Sequence, residues 1–349
     1  MHQNTPLKGY SKFMSHQTTW MYVIALIVLI TMALMAVMLG PVEINYLNRT
    51  SAQDDFVENY ILWQVRLPRI LFAMTIGASL GLAGALTQGL FRNPLADPGL
   101  LGVSSGAAAA AAGAIVFSGH LAWVLPENLR IWMLPSAAFC GALGICFLLD
   151  RLAKWLTPGS VIGLLLTGIA INALVAAFIG LSTYLANDEQ LRNLSFWTMG
   201  SLAGANWLVL VLMIFVLLIA FFFSQTLTVQ INALSLGEVV AGQLGINLKQ
   251  LRQRIILMVA FLSACVVAWC GMIGFISLIA PHIARAIVGP DHRQVLPLSM
   301  LFGGLLLLLA DTLARTVAIP AEIPVGIFTA LLGAPFFLSL LARQGKALT

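Results

Sequence analysis

The sequence predicts an all-α polytopic membrane protein with about ten transmembrane helices. Of its 349 residues, 60% are hydrophobic and 9% are charged, and the mean hydropathy is +0.96. Soluble domains carry about 25% charged residues. The apolar runs are continuous, as in residues 207–223, whereas the strands of a membrane barrel alternate apolar and polar residues. Because a bilayer accepts only helices or closed barrels, the spans are predicted to be helical.

Ten segments are apolar enough to span a bilayer, which takes about 20 mostly apolar residues per helix. Residues 254–288 are too long for one crossing, and the glycines at 271 and 274 divide them. The polar tail 1–19 precedes a first span that is too long for the apolar region of a cleavable signal peptide. No second domain is indicated, so residues 1–349 are predicted to form one membrane domain. The predicted spans are 20–39, 69–90, 100–118, 131–149, 161–184, 207–224, 254–271, 273–288, 296–313 and 325–342.

The basic residues predict how the chain is oriented. With ten spans and a cytoplasmic N-terminus, twelve of the 18 Lys and Arg residues lie on the cytoplasmic side, as the positive-inside rule requires. Both termini and the long loop 225–253 are then cytoplasmic. The net charge of +5 therefore reflects membrane topology and gives no reason to expect nucleic acid as a partner.

The stretch GVSSG at 102–106 matches the G-x-S-x-G pattern of a nucleophilic serine. A hydrolase would need a histidine within hydrogen-bond reach of Ser104. His120 is predicted about 24 Å away, at the other end of the same helix. His282 and His292 have a suitable depth but no conspicuous acidic partner. A helix start, where Ser104 and Ser105 cap free N–H groups, is therefore the favoured interpretation, and no catalytic residue is predicted.

Two other residue types have simple interpretations. Cys140, Cys146, Cys265 and Cys270 lie in apolar runs without metal-ligand spacing, which predicts buried free thiols and no metal site. In the second span, small residues recur at helical spacing, which permits close approach of helix backbones and predicts a central helix. They are Gly77, Gly81 and Gly84.

A series of motifs resembles the permeases of type II ABC importers, which import vitamin B12, ferric siderophores and heme. The motifs follow the family's order over nearly the whole chain. The resemblance implies the fold of that family, with ten helices per subunit and both termini cytoplasmic. The motifs are RLPRIL at 66–71, LFRNPLADPGLLGVSSG at 90–106, GLLLTGIAINAL at 163–174, FWTMGSLAGANW at 196–207, GEVVAGQLGI at 237–246, GFISLIAPHIAR at 274–285, GPDHR at 289–293, ADTLAR at 310–315 and PAEIPVGIFTALLGAPFFLSLL at 320–341.

The loop 225–253 contains a short, partly apolar helical segment broken by glycines. From the residues alone, binding to lipid and docking into a partner's groove are equally supported. The resemblance implies docking on a cytoplasmic ATPase subunit. Because the chain has no G-x-x-x-x-G-K-[ST] phosphate loop, ATP and Mg²⁺ are expected on that separate subunit. The predicted coupling residues are Gly237, Glu238, Ala241, Gly242, Leu244 and Gly245.

Three arginines on the predicted outer side could anchor helix ends by snorkelling. They are Arg66 and Arg69 before the second span and Arg315 after the ninth. The resemblance implies instead that they pair with acidic residues on the two lobes of a periplasmic binding protein, for which the planar guanidinium is well suited. Asp311 is the one acid predicted inside the membrane, and a functional role and a pair with Arg315, four residues on, both remain open.

The fifth span carries polar residues within a long apolar helix. Such groups either bond neighbouring helices or face a cavity, and the resemblance implies that this helix lines a translocation path on the axis of a permease dimer. A cytoplasmic gate is expected where the span begins. The residues 180–207 are predicted to form a short outer helix whose aromatic rings either contact cargo or belong to an interfacial belt. The predicted path residues are Ser160, Val161, Thr167, Asn172, Ser182, Thr183, Phe196 and Trp197.

The run 180–207 most resembles heme importers, so heme is the predicted cargo, with a ferric siderophore or vitamin B12 as the alternative. The resemblance implies a bacterial inner-membrane protein that works as a homodimer with two ATPase subunits and a periplasmic binding protein. An intramembrane serine hydrolase is the alternative from another class. A stand-alone channel would leave the outer arginines and the inner loop without a role.

Overall fold

The computed structural model describes residues 16–40, 52–117, 126–158 and 161–348, and within them the regular structure is entirely helical. A π-helical turn, Ile61–Arg66, joins α2 to α3, and a 3₁₀ turn, Pro98–Leu101, precedes α4. The helices are α1 (His16–Met38), α2 (Ala52–Tyr60), α3 (Leu67–Phe91), α4 (Val103–Phe117), α5 (Glu127–Leu156), α6 (Val161–Leu185), α7 (Asp188–Met199), α8 (Trp207–Ser235), α9 (Glu238–Gln243), α10 (Leu248–Cys270), α11 (Ile276–Val288), α12 (His292–Thr316) and α13 (Val325–Leu348).

Each of the ten predicted spans overlaps one of these helices. Seven helical stretches of the described chain are long and apolar enough to cross a bilayer, and α4, α11 and α13 supply three shorter apolar segments. The predicted break between the seventh and eighth spans is confirmed, because α10 ends at Cys270 and α11 begins at Ile276. The predicted outer helix within 180–207 is α7.

Two predicted boundaries are wrong. The sixth span does not end at residue 224, because α8 continues to Ser235. Its polar residues stay helical since Ser224, Thr226 and Thr228 each donate a hydroxyl to the carbonyl three residues earlier, so their polar groups are satisfied within the helix. The predicted loop 225–253 therefore shrinks to a segment around α9.

The second correction concerns the start of the second span. One helical stretch of 36 residues suitable for crossing a bilayer runs from Phe56 to Phe91, so Arg66 and Arg69 lie inside a helix and not before it. The π-helical turn ends directly before Leu67 and Pro68. A proline lacks the N–H group of a regular α-helical bond and clashes with the carbonyl four residues earlier, so regular α-helical bonding is interrupted before Pro68.

Helix α3 is the centre of the bundle and contacts α12, α11, α8, α10 and α1. In its most apolar stretch, 83% of the residues are buried, against 17% for α1. Arg69 and Arg92 are 23 residues apart on this helix, or about 35 Å. We call the end of the bundle at Arg69 the outer end and the end at Arg92 the inner end, following the orientation that the basic residues predict.

Glycines allow this central position. A Cβ atom built on Gly77 would lie 2.2 Å from the carbonyl oxygen of Gly303, one on Gly81 2.1 Å from that of Ser299, and one on Gly84 1.8 Å from that of Ser277. These carbonyls belong to α11 and α12. The small-residue face therefore brings three backbones into direct contact, which confirms the prediction of a central second span.

We expect Gly84→Ala to lower the thermal stability of the protein, because the added methyl group would overlap the Ser277 carbonyl. Overpacking of this kind costs about 1–3 kcal/mol. Gly144→Ala is the matched control, since nothing lies within 4 Å of a Cβ atom there and alanine is favoured in a helix interior by up to about 1 kcal/mol. Unfolding midpoints measured in detergent by scanning fluorimetry check this, and equal midpoints for the two variants would contradict it.

Candidate functional site

A buried ion cluster closes the outer end of the bundle. One oxygen of Asp311, Oδ1, accepts hydrogen bonds from Nε and Nη2 of Arg69 at 3.1 and 2.9 Å. Its Oδ2 lies 3.0 Å from Nε of Arg315. The third guanidinium nitrogen of Arg69, Nη1, donates to both carboxylate oxygens of Glu322 at 3.0 and 2.9 Å. One carboxylate thus holds two arginines, and a second carboxylate shares one of them.

The two carboxylates of this cluster differ in exposure. The Asp311 side chain is fully buried, whereas 41% of the Glu322 side chain is exposed. A buried charge is tolerated when it is paired and hydrogen-bonded. Arg69 supplies the hydrogen bonds to Asp311, whereas Arg315 lies close enough to Oδ2 for an ion pair but makes no hydrogen bond to it among the described residues. The pair with Arg315, which the sequence left open, is therefore present. Glu322 is the member of the cluster that solvent can reach, and the sequence analysis missed it.

The third predicted docking residue, Arg66, ties α3 to α1. Its Nη1 atom donates to the carbonyl of Val37 at 2.7 Å, and the residue is 3% exposed. Its guanidinium also lies against Gly40, where a Cβ atom would come within 2.8 Å of Nη2. Arg66 therefore holds the end of α1 in place.

The sequence predicts that Arg66, Arg69 and Arg315 meet carboxylates of a partner protein. In the structure all three side chains are buried, with Arg69 and Arg315 paired to carboxylates of the same chain. The docking role of the three arginines stays a prediction, but the arginines are less accessible to a partner than the sequence suggests. A partner's carboxylate would reach this cluster at its exposed edge, where it would compete with Glu322 for Arg69.

The inner end carries the short helix α9, which has two different faces. Val239 is 76% exposed and Leu244 is 64% exposed, while Ala241 is fully buried. The exposed apolar side chains are suited to a partner surface, and the buried side packs on α8 and α10. Of the predicted coupling residues, Ala241 therefore faces the bundle and not a partner.

Glycines shape both ends of α9. The sequence predicts breaks at Gly242 and Gly245; Gly245 ends the helical segment, but Gly242 lies within α9. Gly237 precedes the helix with φ of 118°, and Gly245 follows it with φ of 81°. The backbone N–H of Ile246 bonds to the carbonyl of Ala241 at 3.1 Å, and that of Gly245 bonds to the carbonyl of Gly242 at 3.0 Å. A left-handed residue with these bonds is a common helix terminus. No atom lies within 4 Å of a Cβ atom built on Gly242 or Gly245. The backbone conformation therefore favours glycine at positions 237 and 245 but not at 242.

Glu238 begins α9 and points toward the bundle. Its Oε1 atom accepts a hydrogen bond from Nη2 of Arg252 at 2.6 Å and lies 3.5 Å from Nη2 of Arg92. Arg252 belongs to the first turns of α10, and Arg92 is the residue that ends α3. Both arginines are among the twelve basic residues predicted on the cytoplasmic side, but a single sequence does not reveal that they share one carboxylate.

A second polar contact joins α8 to α12 close to this segment. The side-chain oxygen of Asn232 accepts from the backbone N–H of His292 at 2.9 Å and lies 2.9 Å from the Nδ1 atom of the same residue. Its amide nitrogen donates to Asp291 at 2.6 Å. At the inner end, one contact therefore joins α9 to α3 and α10, and the other joins α8 to the start of α12. The sequence gives no signal for Asn232, because it lies beyond the predicted end of the sixth span.

Most of the predicted path residues on α6 bond to their own helix. Thr167, Ser182 and Thr183 each donate a hydroxyl to the carbonyl four residues earlier, at 2.7 to 2.9 Å. Among the described residues, these hydroxyls make no hydrogen bond to a neighbouring helix. The structure therefore does not support a role for them in bonding helices together. The side-chain oxygen of Asn172 is buried without a hydrogen-bond partner among the described residues. Val161 begins α6, and Ser160 lies outside the described residues.

A broad side of α6 is exposed and apolar. Leu166, Ile169, Leu174 and Tyr184 are between 62% and 85% exposed, and only a narrow stripe of the helix contacts α4 and α5. Such a side needs lipid or another protein surface to cover it. The path role of α6 stays a prediction that this open side supports.

Helix α7 lies at the outer end and is firmly placed. Asn187 and Gln190 form a reciprocal capping box at its start, and the Gln190 amide donates to the carbonyl of Val116. Phe196 is 53% exposed, whereas Trp197 is half-buried against the larger core cluster. The two aromatic residues therefore differ in exposure, and Phe196 is the more exposed of the two.

The serine site is not assembled. The sequence predicts that Ser105 caps a free N–H group, but in the structure its hydroxyl donates to the carbonyl of Gly102. His282 packs against Phe336 with 5.7 Å between ring centroids, and His292 is held by Asn232. His120 lies outside the described residues. Within the described part of the chain, no histidine is hydrogen-bonded to Ser104.

The cysteines are free thiols, and Cys146, Cys265 and Cys270 are buried as predicted. Cys140 is exposed, which corrects the prediction for that residue. It lies on the side of α5 away from Ala138 and Ala142, which are fully buried. Among the described residues, no group of three His, Cys, Asp or Glu side chains is arranged to hold a metal ion.

Comparison with known proteins gives a consistent result. A model of the FecCD transport family matches residues 24–343. The chain is 43% identical over 319 residues to the hemin transport system permease protein HmuU of Yersinia pestis, covering 91% of this chain and 94% of HmuU. It is 37% identical over 329 residues to the Fe(3+) dicitrate transport system permease protein FecD of Escherichia coli, covering 92% of this chain and 99% of FecD.

A solved structure has the same architecture. It is described as an inward-facing conformation of a proposed metal-chelate type ABC transporter, and it superposes with a TM-score of 0.80 at 34% sequence identity. The superposition covers 93% of this chain and 99% of that one. The likeness therefore extends over nearly all of both chains.

We expect Asp311→Asn to destabilise the protein strongly, because it leaves Arg69 and Arg315 in a buried site without their shared anion. Removing one partner of a buried ion pair typically costs about 3–5 kcal/mol. Glu322→Gln is the matched control in the same cluster, and its exposed pair is worth about 0–1 kcal/mol. Unfolding midpoints in detergent check the difference. A larger loss for Glu322→Gln than for Asp311→Asn would refute the assignment of Asp311 as the central anion.

Proposed function

Because this chain belongs to the FecCD transport family and is thus a non-catalytic, multi-pass permease subunit of an ABC importer, we propose that its cargo is heme. The protein would move heme across the bacterial inner membrane, from the periplasm to the cytoplasm. The observation that carries this proposal is the 43% identity to a hemin permease over 91% of the chain. As a transport subunit it performs no chemistry on the cargo.

The outer end supports a flat, apolar cargo. Phe196 on α7 is 53% exposed, and the start of α8 adds Trp207, whose indole N–H donates to the carbonyl of Trp63 at 2.9 Å. That bond fixes the Trp207 ring. Aromatic rings offer large apolar faces to a porphyrin, and a path that conducts needs weak sites, because a tight site would trap the cargo.

The proposed path lies on the axis of a homodimer. The open apolar side of α6 supports this assignment, since a second copy of the chain would cover it. Alternating access would then open the path between the two copies first to one side and then to the other. Heme would be bound only in passing, and no resident cofactor is proposed for this chain.

Two further kinds of partner are proposed for the two ends of the bundle. At the inner end, the exposed side of α9, with Val239 and Leu244, would dock on an ATPase subunit that carries ATP and Mg²⁺, one for each permease copy. At the outer end, a periplasmic binding protein would place its carboxylates at the edge of the arginine cluster. Glu322 marks that edge, because it is the exposed carboxylate on Arg69.

The cargo is tested by uptake into vesicles. The permease is reconstituted with its cognate ATPase and binding protein, and accumulation of heme is measured with and without ATP. We expect heme to accumulate only with ATP, because hydrolysis on the partner subunit drives the change of access. ATP-driven uptake of a ferric siderophore or vitamin B12, with none of heme, would refute heme as the cargo while leaving the importer assignment intact.

Gly245 provides a test of the docking segment. With φ of 81°, this position is strained for a β-branched residue, whereas asparagine adopts left-handed conformations readily. We expect Gly245→Val to retain its fold but lose most ATP-driven uptake, and Gly245→Asn to keep most of it. Co-purification of the ATPase subunit is measured beside uptake. Normal transport by Gly245→Val would count against a coupling role for this segment.

A further inference from the structure

The coupling residues of the inner end divide into two groups according to where their side chains point. Val239 and Leu244 face outward from α9, while Glu238 and Ala241 face the bundle. A partner that docks on the outward side of α9 can push or turn this helix, but it does not itself contact the transmembrane helices. A side chain on the inward side of α9 has to transmit that movement to the transmembrane helices.

Glu238 is the polar side chain of α9 that meets those helices. Its Oε1 atom lies 2.6 Å from Nη2 of Arg252 on α10 and 3.5 Å from Nη2 of Arg92 at the end of α3. Both of these helices pack deep in the bundle, and α10 also contacts α5. A single carboxylate oxygen therefore connects α9 with the central helix and with one of its principal neighbours.

The backbone around α9 is permissive, which leaves side chains to carry the movement. Gly237 and Gly245 flank the helix with positive φ, and no atom lies within 4 Å of a Cβ atom at either position. The seven residues between the two glycines, 238–244, are therefore not held by packing at either glycine. Arg92 at the receiving end is itself held in a left-handed conformation, with φ of 50°, by bonds from its N–H to the carbonyls of Gln88 and Gly89.

The three side chains of this contact are 24% to 43% exposed. Ion pairs at such positions contribute little to stability, but charge-assisted hydrogen bonds fix geometry well. The contact is therefore suited to keeping helix ends aligned during a movement and poorly suited to holding the fold together. The outer cluster around the fully buried Asp311 is of the opposite kind.

We propose that Glu238 is a positioning residue that transmits the movement of α9 to the inner ends of α3 and α10 through Arg92 and Arg252. The proposal rests on the proposed docking of an ATPase subunit on the outward side of α9. It assigns Glu238 to the side of α9 that faces the bundle and not to the surface that the ATPase binds.

The test uses the full permease–ATPase complex in nanodiscs and needs no cargo. In a background with the four native cysteines replaced, Ser195→Cys places one thiol on the exposed surface of α7 at the outer end. The rate of maleimide labelling is measured with and without a non-hydrolysable ATP analogue. The variants are Glu238→Gln, which removes the charge, and Glu238→Asp, which keeps it. Asp150→Asn is the control, because it breaks an exposed pair with Lys154 at the same end of the bundle.

We expect the ATP analogue to change the labelling rate in the wild type, in Glu238→Asp and in Asp150→Asn. In Glu238→Gln the change should be about tenfold smaller, which is the scale of one hydrogen bond to a charged group. The ATPase subunit should still co-purify with Glu238→Gln. Arg252→Gln should give the same loss, and the double variant should be no worse than either single variant, because the residues act through one another.

Two results would overturn the proposal. One is a Glu238→Gln complex whose labelling responds to the nucleotide like the wild type. The other is loss of the ATPase subunit from that variant, which would make Glu238 a docking residue. Failure of the proposed importer cycle would appear in the wild-type complex as well, whereas failure of the Glu238 role appears only in the variants. An error in the cargo does not affect the measurement.

Discussion

The hydrocarbon core of a bilayer offers no water to polar groups, and this constraint governs where most polar side chains of the bundle lie. Hydroxyls along the helices bond back to their own chain, as Ser79, Thr87 and Ser299 do with the carbonyls four residues earlier. Charged residues are concentrated at the ends, about 35 Å apart along α3. Between the two ends the structure relies on close packing, and the glycines of α3 provide it by admitting the backbones of α11 and α12.

The two ends satisfy the same constraint in different ways, and the difference bears on function. At the outer end the fully buried carboxylate of Asp311 pairs with two arginines and binds α3 to α12. At the inner end, Glu238 holds its two arginines in positions that solvent reaches. A buried cluster resists rearrangement because separating its charges exposes them to an apolar interior. A solvated contact can break and re-form, so the inner end is the one that can adjust to a moving partner.

The sequence predicts the helices of this fold well, because apolar length and small-residue spacing are properties of single segments. It cannot predict which ends meet. Arg69 and Glu322 are 253 positions apart, and one sequence contains no signal for that pairing. The end of α8 was missed for another reason: Ser224, Thr226 and Thr228 read as loop residues, yet their hydroxyls bond within the helix. The roles of the site residues are likewise implied by resemblance and constrained, but not assigned, by geometry.

Packing also separates the parts of the bundle that can move from those that cannot. Helices α3, α11 and α12 touch through their backbones, so bending one of them would require all three to rearrange, and they should move as one body. Helix α6 is attached along a narrow stripe and leaves a wide apolar side open. A change of access is therefore more easily made by shifting α6 against the rigid group than by deforming that group. The contact between Glu238 and Arg92 reaches this rigid group directly, because Arg92 ends α3.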